Sequence, residues 1–274
     1  MNLDELRVHH LDLLKKFIIR CNFDSDLYKL QTIETYPGKL KFISLFLYFL
    51  PRNWTIARLI SPPQLEIRAN GQDWPISAES MIGLHRMNQL HEALDTVRTE
   101  EIPGDIVETG IWRGGAVIFA ASYLTLYSMA DRKVIGCDSF EGLPAPDDRY
   151  PIDKKDIHST IDVLKVSLEQ VTENLRKYQL DMTKVLLVKG WFKDTLPTLN
   201  TNEIAILRLD GDMYSSTIEA LNSLYEKVAP GGFVIIDDYC LEGAKKAVED
   251  FFEGNYPKMV EIDGTGAYFR KQKD

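Results

Sequence analysis

The sequence predicts an α/β fold in which a parallel sheet, covered by helices on both faces, is finished by a terminal antiparallel hairpin. Three observations carry this. From Gly104 onward, short apolar runs alternate with helix-length segments. Phe233-Val234-Ile235-Ile236 is a continuous apolar run, as expected of a strand covered on both faces. Near the end, two strand-like segments flank Asp263-Gly264-Thr265-Gly266, whose residues favour a tight turn.

In order along the chain, a helix is expected over residues 3–20, where Leu3, Leu6, His10, Leu13, Leu14 and Ile18 fall near helical spacing. An apolar run from Leu40 to Leu50 follows, read as a partly buried helix or a dimer contact. Pro51, Pro62, Pro63 and Pro75 argue against long regular elements before residue 80. Residues 1–80 are therefore set apart as an N-terminal helical segment and residues 81–274 as the main domain. A helix over about residues 80–98 bridges the two. Asp105-Ile106-Val107-Glu108 reads as a buried strand, followed by a helix over about residues 114–129. Val134-Ile135-Gly136-Cys137-Asp138 is the next strand. A polar stretch from Ser139 to Thr160 precedes a helix ending near Tyr178. Val185–Val188 and Ile204–Leu209 are further strands. A helix over residues 215–228 is expected to stop at Pro230-Gly231-Gly232, ahead of the strand Phe233–Ile236, and another covers residues 243–252. Met259-Val260-Glu261-Ile262 and Ala267-Tyr268-Phe269-Arg270 form the hairpin. It argues against two mirrored Rossmann halves and for a methyltransferase-like layout.

Composition narrows the function. With 274 residues, 45% hydrophobic and 27% charged, the chain suits one large domain with a small appendage. Its 41 acidic and 32 basic residues give a net charge of −9, and no basic stripe is present. Such a surface repels phosphate backbones, so no nucleic-acid partner is expected. Cys21, Cys137 and Cys240 are too few and too scattered for a disulfide framework and read as buried, reduced thiols. The start of the chain lacks a basic n-region, and the Leu40–Leu50 run falls far short of the ~20 residues that span a bilayer. A cytoplasmic protein without a membrane partner is expected, working as a homodimer or higher homo-oligomer.

Three constellations carry chemistry. Glu108-Thr109-Gly110-Ile111-Trp112-Arg113-Gly114-Gly115 marks the turn after the first core strand, where open sheets bind ligands. It lacks the GxGxxG spacing that seats a pyrophosphate. An acid ending the strand suits a cationic ligand such as the ammonium or sulfonium of S-adenosylmethionine; the alternative is a plain structural turn. Asp138-Ser139 ends the next strand, where a carboxylate can accept both ribose hydroxyls, or merely cap a loop. Asp210-Gly211-Asp212 and Asp237-Asp238 end two strands expected to be neighbours. Clustered carboxylates raise each other's pKa, and a hard cation such as Mg²⁺ relieves the conflict. Ca²⁺ or solvated loop acids are the alternatives. The histidines, His9, His10, His85, His91 and His158, form no metal-ligand spacing and read as surface or satisfied core residues.

These residues together resemble the macrocin O-methyltransferase (TylF) family. The likeness runs from Leu11-Asp12-Leu13-Leu14 through Gly71-Gln72-Asp73-Trp74-Pro75 and Ser80-Met81-Ile82-Gly83-Leu84. It continues over Pro103 to Gly115, Asp138 to Pro144, Val166 to Glu169, Gly190 to Pro197, Leu209 to Thr217, and Pro230-Gly231-Gly232 with Asp237-Asp238-Tyr239. Each short match is unspecific; their order and spacing are not. The resemblance implies a class I S-adenosylmethionine-dependent methyltransferase fold, Rossmann-like, with an N-terminal helical lid. It also implies S-adenosylmethionine- and Mg²⁺-dependent methylation of a sugar hydroxyl on a small-molecule natural product. By the same resemblance, Glu108, Thr109, Gly110 and Trp112 hold the methionyl part, and Asp138 and Ser139 the ribose. Gly190, Trp191 and Phe192 belong to the cofactor site, with the two aromatics flanking adenine, and Met81 closes over it. Asp210, Asp237 and Asp238 bind metal. Asp212 is the general base, a role that Asp210 could share or exchange. The Leu40–Leu50 run has no counterpart in the family, which leaves the acceptor open.

The expected reaction is in-line attack of a hydroxyl oxygen on the sulfonium methyl. Residues 1–80 and 139–160 are expected to form a lid that excludes water. Competing readings are a metal-dependent glycosyltransferase, from the Asp210-Gly211-Asp212 spacing, a catechol-type O-methyltransferase, and a non-catalytic scaffold.

Overall fold

The computed structural model describes residues 2–21, 26–29, 57–60, 65–75, 77–255 and 257–272. The Leu40–Leu50 run, Pro51, Pro62 and Pro63 lie outside the described residues. Helices are α1 (Leu3–Ile18), α2 (Leu65–Ala69), α3 (Gly83–Thr99), α4 (Gly115–Leu126), α5 (Leu168–Lys177), α6 (Phe192–Thr195), α7 (Tyr214–Leu224) and α8 (Glu242–Phe251). Strands β1 (Asp26–Lys29) and β2 (Ala57–Ile60) pair antiparallel as a separate two-stranded sheet. The main sheet is built from β3 (Asp105–Thr109), β4 (Val134–Asp138), β5 (Val185–Lys189), β6 (Ile204–Leu209), β7 (Val228–Ile236), β8 (Val260–Glu261) and β9 (Ala267–Arg270). Its order is β5-β4-β3-β6-β7-β9-β8, parallel from β5 to β7 and antiparallel for β9 and β8. This is the expected class I methyltransferase layout, finishing in the expected hairpin.

Strand alternation splits the core into two layers. Ile106 and Ile206 join one cluster, with Phe119 and Tyr123 of α4 and Leu90 and Leu94 of α3. Val107 and Leu207 join the other, with Leu221 and Leu224 of α7 and Val248 of α8. The stretch GAVIFAASYLTL of α4 has almost no polar face, and this helix is buried nearly all round. Helix α1 starts with a reciprocal cap, in which the Glu5 N–H donates to Asn2 Oδ1 at 2.8 Å and the Asn2 N–H to Glu5 Oε2 at 2.9 Å. Its Leu11 and Ile18 are fully buried, against the layer that contains α3 and α4.

One boundary departs from expectation. The helix expected to reach residue 228 stops at Leu224, and β7 begins at Val228, running through Pro230-Gly231-Gly232. Opposite β6 the register jumps from Ile204↔Val228 to Ile206↔Phe233, so the Pro-Gly-Gly sits in a bulge. A proline, lacking an N–H, is tolerated there because the ladder is already interrupted.

The polar stretch after β4 is folded into short 3₁₀ turns at Pro151–Lys155, His158–Thr160 and Asp162–Leu164. Its anchor is Asp153, which is almost fully buried and accepts the Tyr214 and Ser215 N–H groups at the start of α7, both at 2.9 Å. A carboxylate at a helix N-terminus satisfies two orphan donors and favours the dipole. Further on, the Trp112 indole N–H donates to Val163 O at 2.8 Å.

Candidate active site

A cleft of about 490 Å³ opens where β3, β4, β5, β6 and β7 end, the edge at which open α/β sheets place ligands. Its wall includes Met81, Gly110, Trp112, Asp138, Ser139, Trp191, Phe192, Asp210, Asp212, Asp237 and Asp238. Most of the site residues singled out from the sequence therefore line it. Glu108, Thr109 and Gly190 do not form part of it; Glu108 and Thr109 are buried at the end of β3.

Local chemistry explains the placement. Gly110 has φ +83° and lies against the β6 loop, where the Asp210 N–H donates to Thr109 O at 2.8 Å. Only glycine adopts that conformation at low cost. Met81 is brought in by Gly115, whose N–H donates to Glu79 O at 3.0 Å and whose missing side chain leaves room for Ser80. Asp138 binds the neighbouring loops, accepting the Ile111 N–H at 2.8 Å and the Phe140 N–H at 2.7 Å. Burial raises its carboxyl above the ordinary value, and those backbone donors offset only part of the rise. Trp191 and Phe192 follow β5, whose end is fixed beside β4 by the Gly190 N–H donating to Asp138 O at 2.9 Å.

The acidic edge holds more than aspartates. Arg208, the penultimate residue of β6 and 3% exposed, donates through Nη1 to Glu108 Oε1 at 2.5 Å and Asp210 Oδ2 at 2.6 Å, and through Nη2 to Asp237 Oδ1. Arg86 of α3 donates through Nη1 to the other Asp237 oxygen and through Nε to Asp263 Oδ2 at 3.1 Å. These two guanidiniums neutralise part of the cluster, a task the sequence reading gave to a cation alone. Burial still lifts the Glu108 carboxyl to about 8, with Arg208 opposing it. Burial, then Asp210, lift Asp212 to about 7. Asp238 lies well above the usual carboxylate range because it is buried and faces Asp212, Asp210 and Asp237.

Carboxylate oxygens of Asp210, Asp237 and Asp238 come within 4.8 Å of one another. Asp238 accepts the Asp212 N–H at 3.2 Å, and among the described residues no arginine or lysine pairs with it. An all-oxygen set that includes a partly buried carboxylate without an ion-pair partner fits a hard divalent cation. The cysteines correct one expectation. Cys137 is buried, its thiol pushed up to about 12 by burial, and Cys21 is partly buried; Cys240 is exposed and belongs to the cleft wall. His158, read from sequence as a surface or core residue, also lines the cleft.

Comparison with known proteins places this geometry. Residues 7–271 match the family described as macrocin-O-methyltransferase (TylF). The 8-demethyl-8-(2,3-dimethoxy-α-L-rhamnosyl)-tetracenomycin-C 4'-O-methyltransferase of Streptomyces olivaceus is 44% identical over 213 residues, covering 76% of this chain and 81% of that protein. The mycinamicin III 3''-O-methyltransferase of Micromonospora griseorubida is 41% identical over 212 residues, covering 75% and 84% respectively. Among solved structures, the O-methyltransferase NovP superposes with a TM-score of 0.80 at 35% identity, covering 97% of this chain and 99% of that one.

Proposed function

Since the chain belongs to the macrocin-O-methyltransferase family and is an S-adenosylmethionine-dependent O-methyltransferase, we propose that it methylates a sugar hydroxyl of a glycosylated natural product with Mg²⁺ held by Asp210, Asp237 and Asp238. The observation that carries the metal reading is the convergence of those three carboxylates on one point of the cofactor cleft. The relatives' acceptors, a rhamnosyl tetracenomycin and mycinamicin III, support the acceptor class.

In this reading Gly110, Trp112 and Met81 cradle the methionyl end, with Thr109 and the Arg208-bound Glu108 beneath it. Asp138 and Ser139 hold the ribose. Gly190 lets the chain turn so that Trp191 and Phe192 flank the adenine. Bound S-adenosylmethionine supplies an electrophilic methyl on a sulfonium, and Mg²⁺ supplies Lewis acidity that lowers the pKa of the acceptor hydroxyl. Asp212, which lines the cleft with Asp210 and whose N–H donates to Asp238, would receive the hydroxyl proton, or share that role with Asp210. On methyl transfer the hydroxyl proton would pass to that carboxylate. Residues 81–274 would carry this chemistry, with the stretch 139–160 within them covering the cleft.

The test is a labelled-methyl assay on a panel containing mycinamicin III and rhamnosylated tetracenomycin. Transfer to a sugar oxygen is expected, abolished by EDTA and restored by Mg²⁺, while S-adenosylhomocysteine binding persists without metal. Undiminished transfer in excess EDTA removes the metal from the proposal. Asp138→Ala should weaken S-adenosylmethionine binding by about 1.5–3 kcal/mol, the scale for hydrogen bonds to a charged group. An unaltered dissociation constant by calorimetry would take the ribose contact away from Asp138.

A further inference from the structure

We propose that Asp156 and His158 form the acceptor-recognition element of the cleft, with His158 Nε2 accepting a hydrogen bond from a hydroxyl beside the one methylated. The inference rests on reading the cleft as the methyl-transfer site.

The pair is built rather than incidental. His158 Nδ1 lies 3.0 and 3.1 Å from the two Asp156 oxygens, and the His158 backbone N–H donates to Asp156 Oδ1 at 2.7 Å. Where a carboxylate only accepts, the facing ring nitrogen carries the hydrogen, and in the neutral imidazole this leaves Nε2 with its lone pair. Among the described residues no hydrogen bond to Nε2 occurs, and His158 is part of the cleft wall. Anchors on both sides fix the pair. Upstream, Asp153 caps α7, the helix that follows Asp212; downstream, Val163 O receives the Trp112 indole N–H. His158 and Asp212 line the same cleft, so the ring reaches the neighbourhood of the transfer point.

The chemistry of the wall selects the ligand group. On this side of the wall Asp210, Asp212, Asp238 and the Nε2 lone pair can all accept hydrogen bonds, while Arg149 and Lys193 elsewhere in the wall can donate them. A neutral polyol with two neighbouring hydroxyls meets this need, one hydroxyl at the aspartates and the other at His158. A site made to bind a hydroxyl discriminates against an analogue that lacks it, because the buried polar group is then left unpaired.

The test uses the full chain labelled with nitrogen-15 at histidine, saturated with S-adenosylhomocysteine and Mg²⁺. The His158 resonances are expected to report hydrogen on Nδ1, and the Nε2 signal to move when methyl α-L-rhamnopyranoside or mycinamicin III is added. Asp156→Asn, whose amide can donate to Nδ1, should shift the hydrogen to Nε2 and abolish that response. With an acceptor turned over in the labelled-methyl assay, His158→Ala should raise its KM about tenfold, the effect of one lost hydrogen bond of roughly 1.4 kcal/mol, and leave S-adenosylhomocysteine affinity unchanged. Hydrogen on Nε2 in the parent protein, or an Nε2 signal indifferent to both probes, overturns the proposal. Failure of the methyl-transfer reading shows separately, as absence of labelled product or indifference to Mg²⁺.

Discussion

Gly110→Ala is expected to lower kcat about 100-fold, the loss that accompanies a misplacement of about 1 Å between reacting groups. Gly110 has φ +83°, where an alanine costs about 1–2 kcal/mol. The larger effect is steric. A Cβ at this position would stand 1.7 Å from the Asp210 carbonyl oxygen. That backbone is pinned, because the Asp210 N–H donates to Thr109 O and the Gly110 N–H to Cys137 O, each at 2.8 Å. Relief therefore requires the β6 loop, with the proposed metal ligand Asp210, to retreat from the cofactor loop. Steady-state kinetics beside calorimetry with S-adenosylhomocysteine would separate the loss in kcat from any loss in binding. An alanine enzyme with parental kcat would mean that the two loops are not in register with the reaction.

Arg208→Met should cost about 3–5 kcal/mol of stability, the range for leaving a buried charge without its partner. In a domain of this size that is a fall in Tm of about 10 °C. The cause is specific: Glu108, Asp210 and Asp237 would face one another around an apolar side chain. Even with Arg208 present, burial holds the Glu108 carboxyl near 8. A carboxyl with a raised folded-state value binds its proton more tightly when folded than when unfolded. Stability therefore falls as pH rises from the ordinary value of about 4.5 towards 8, and more steeply once Arg208 is gone. Melting curves at pH 6 and pH 8.5 check both parts. Equal Tm for parent and variant at both pH values would make the guanidinium dispensable.

The sequence revealed the sheet because most core strands are short apolar runs bounded by polar loops. Val134–Asp138 and Ile204–Leu209 match their structural limits, and Asp105–Thr109 and Val185–Lys189 differ by one residue. The start of β7 was hidden, since a bulge at Pro230-Gly231-Gly232 exists only opposite β6, a long-range partner. The aspartates were legible by their place after strands. The arginines were not: one Arg in a helix and one in a strand carry no spacing signal. Yet a charge inside the buried run Ile204–Leu209 demands a partner, and Glu108, its register mate on β3, was the nearest carboxylate to suspect. The Asp156-x-His158 spacing was likewise visible, but in a polar stretch nothing marked it until the turns at Pro151–Lys155 and His158–Thr160 carried it to the cleft.

The tie from Arg86 to Asp263 also bears on when the protein becomes competent during its own synthesis. All three proposed metal ligands have left the ribosome once residue 238 emerges. Arg86, which holds Asp237 from α3, still lacks its second carboxylate, because Asp263 lies in the hairpin turn that accepts the Thr265 and Gly266 N–H groups at 2.8 Å. Strand β9 must then add to β7 before that turn can be held in place. A nascent chain therefore carries its full set of proposed metal ligands for a time before the clamp on Asp237 closes, and strands translated after those ligands complete the site around them.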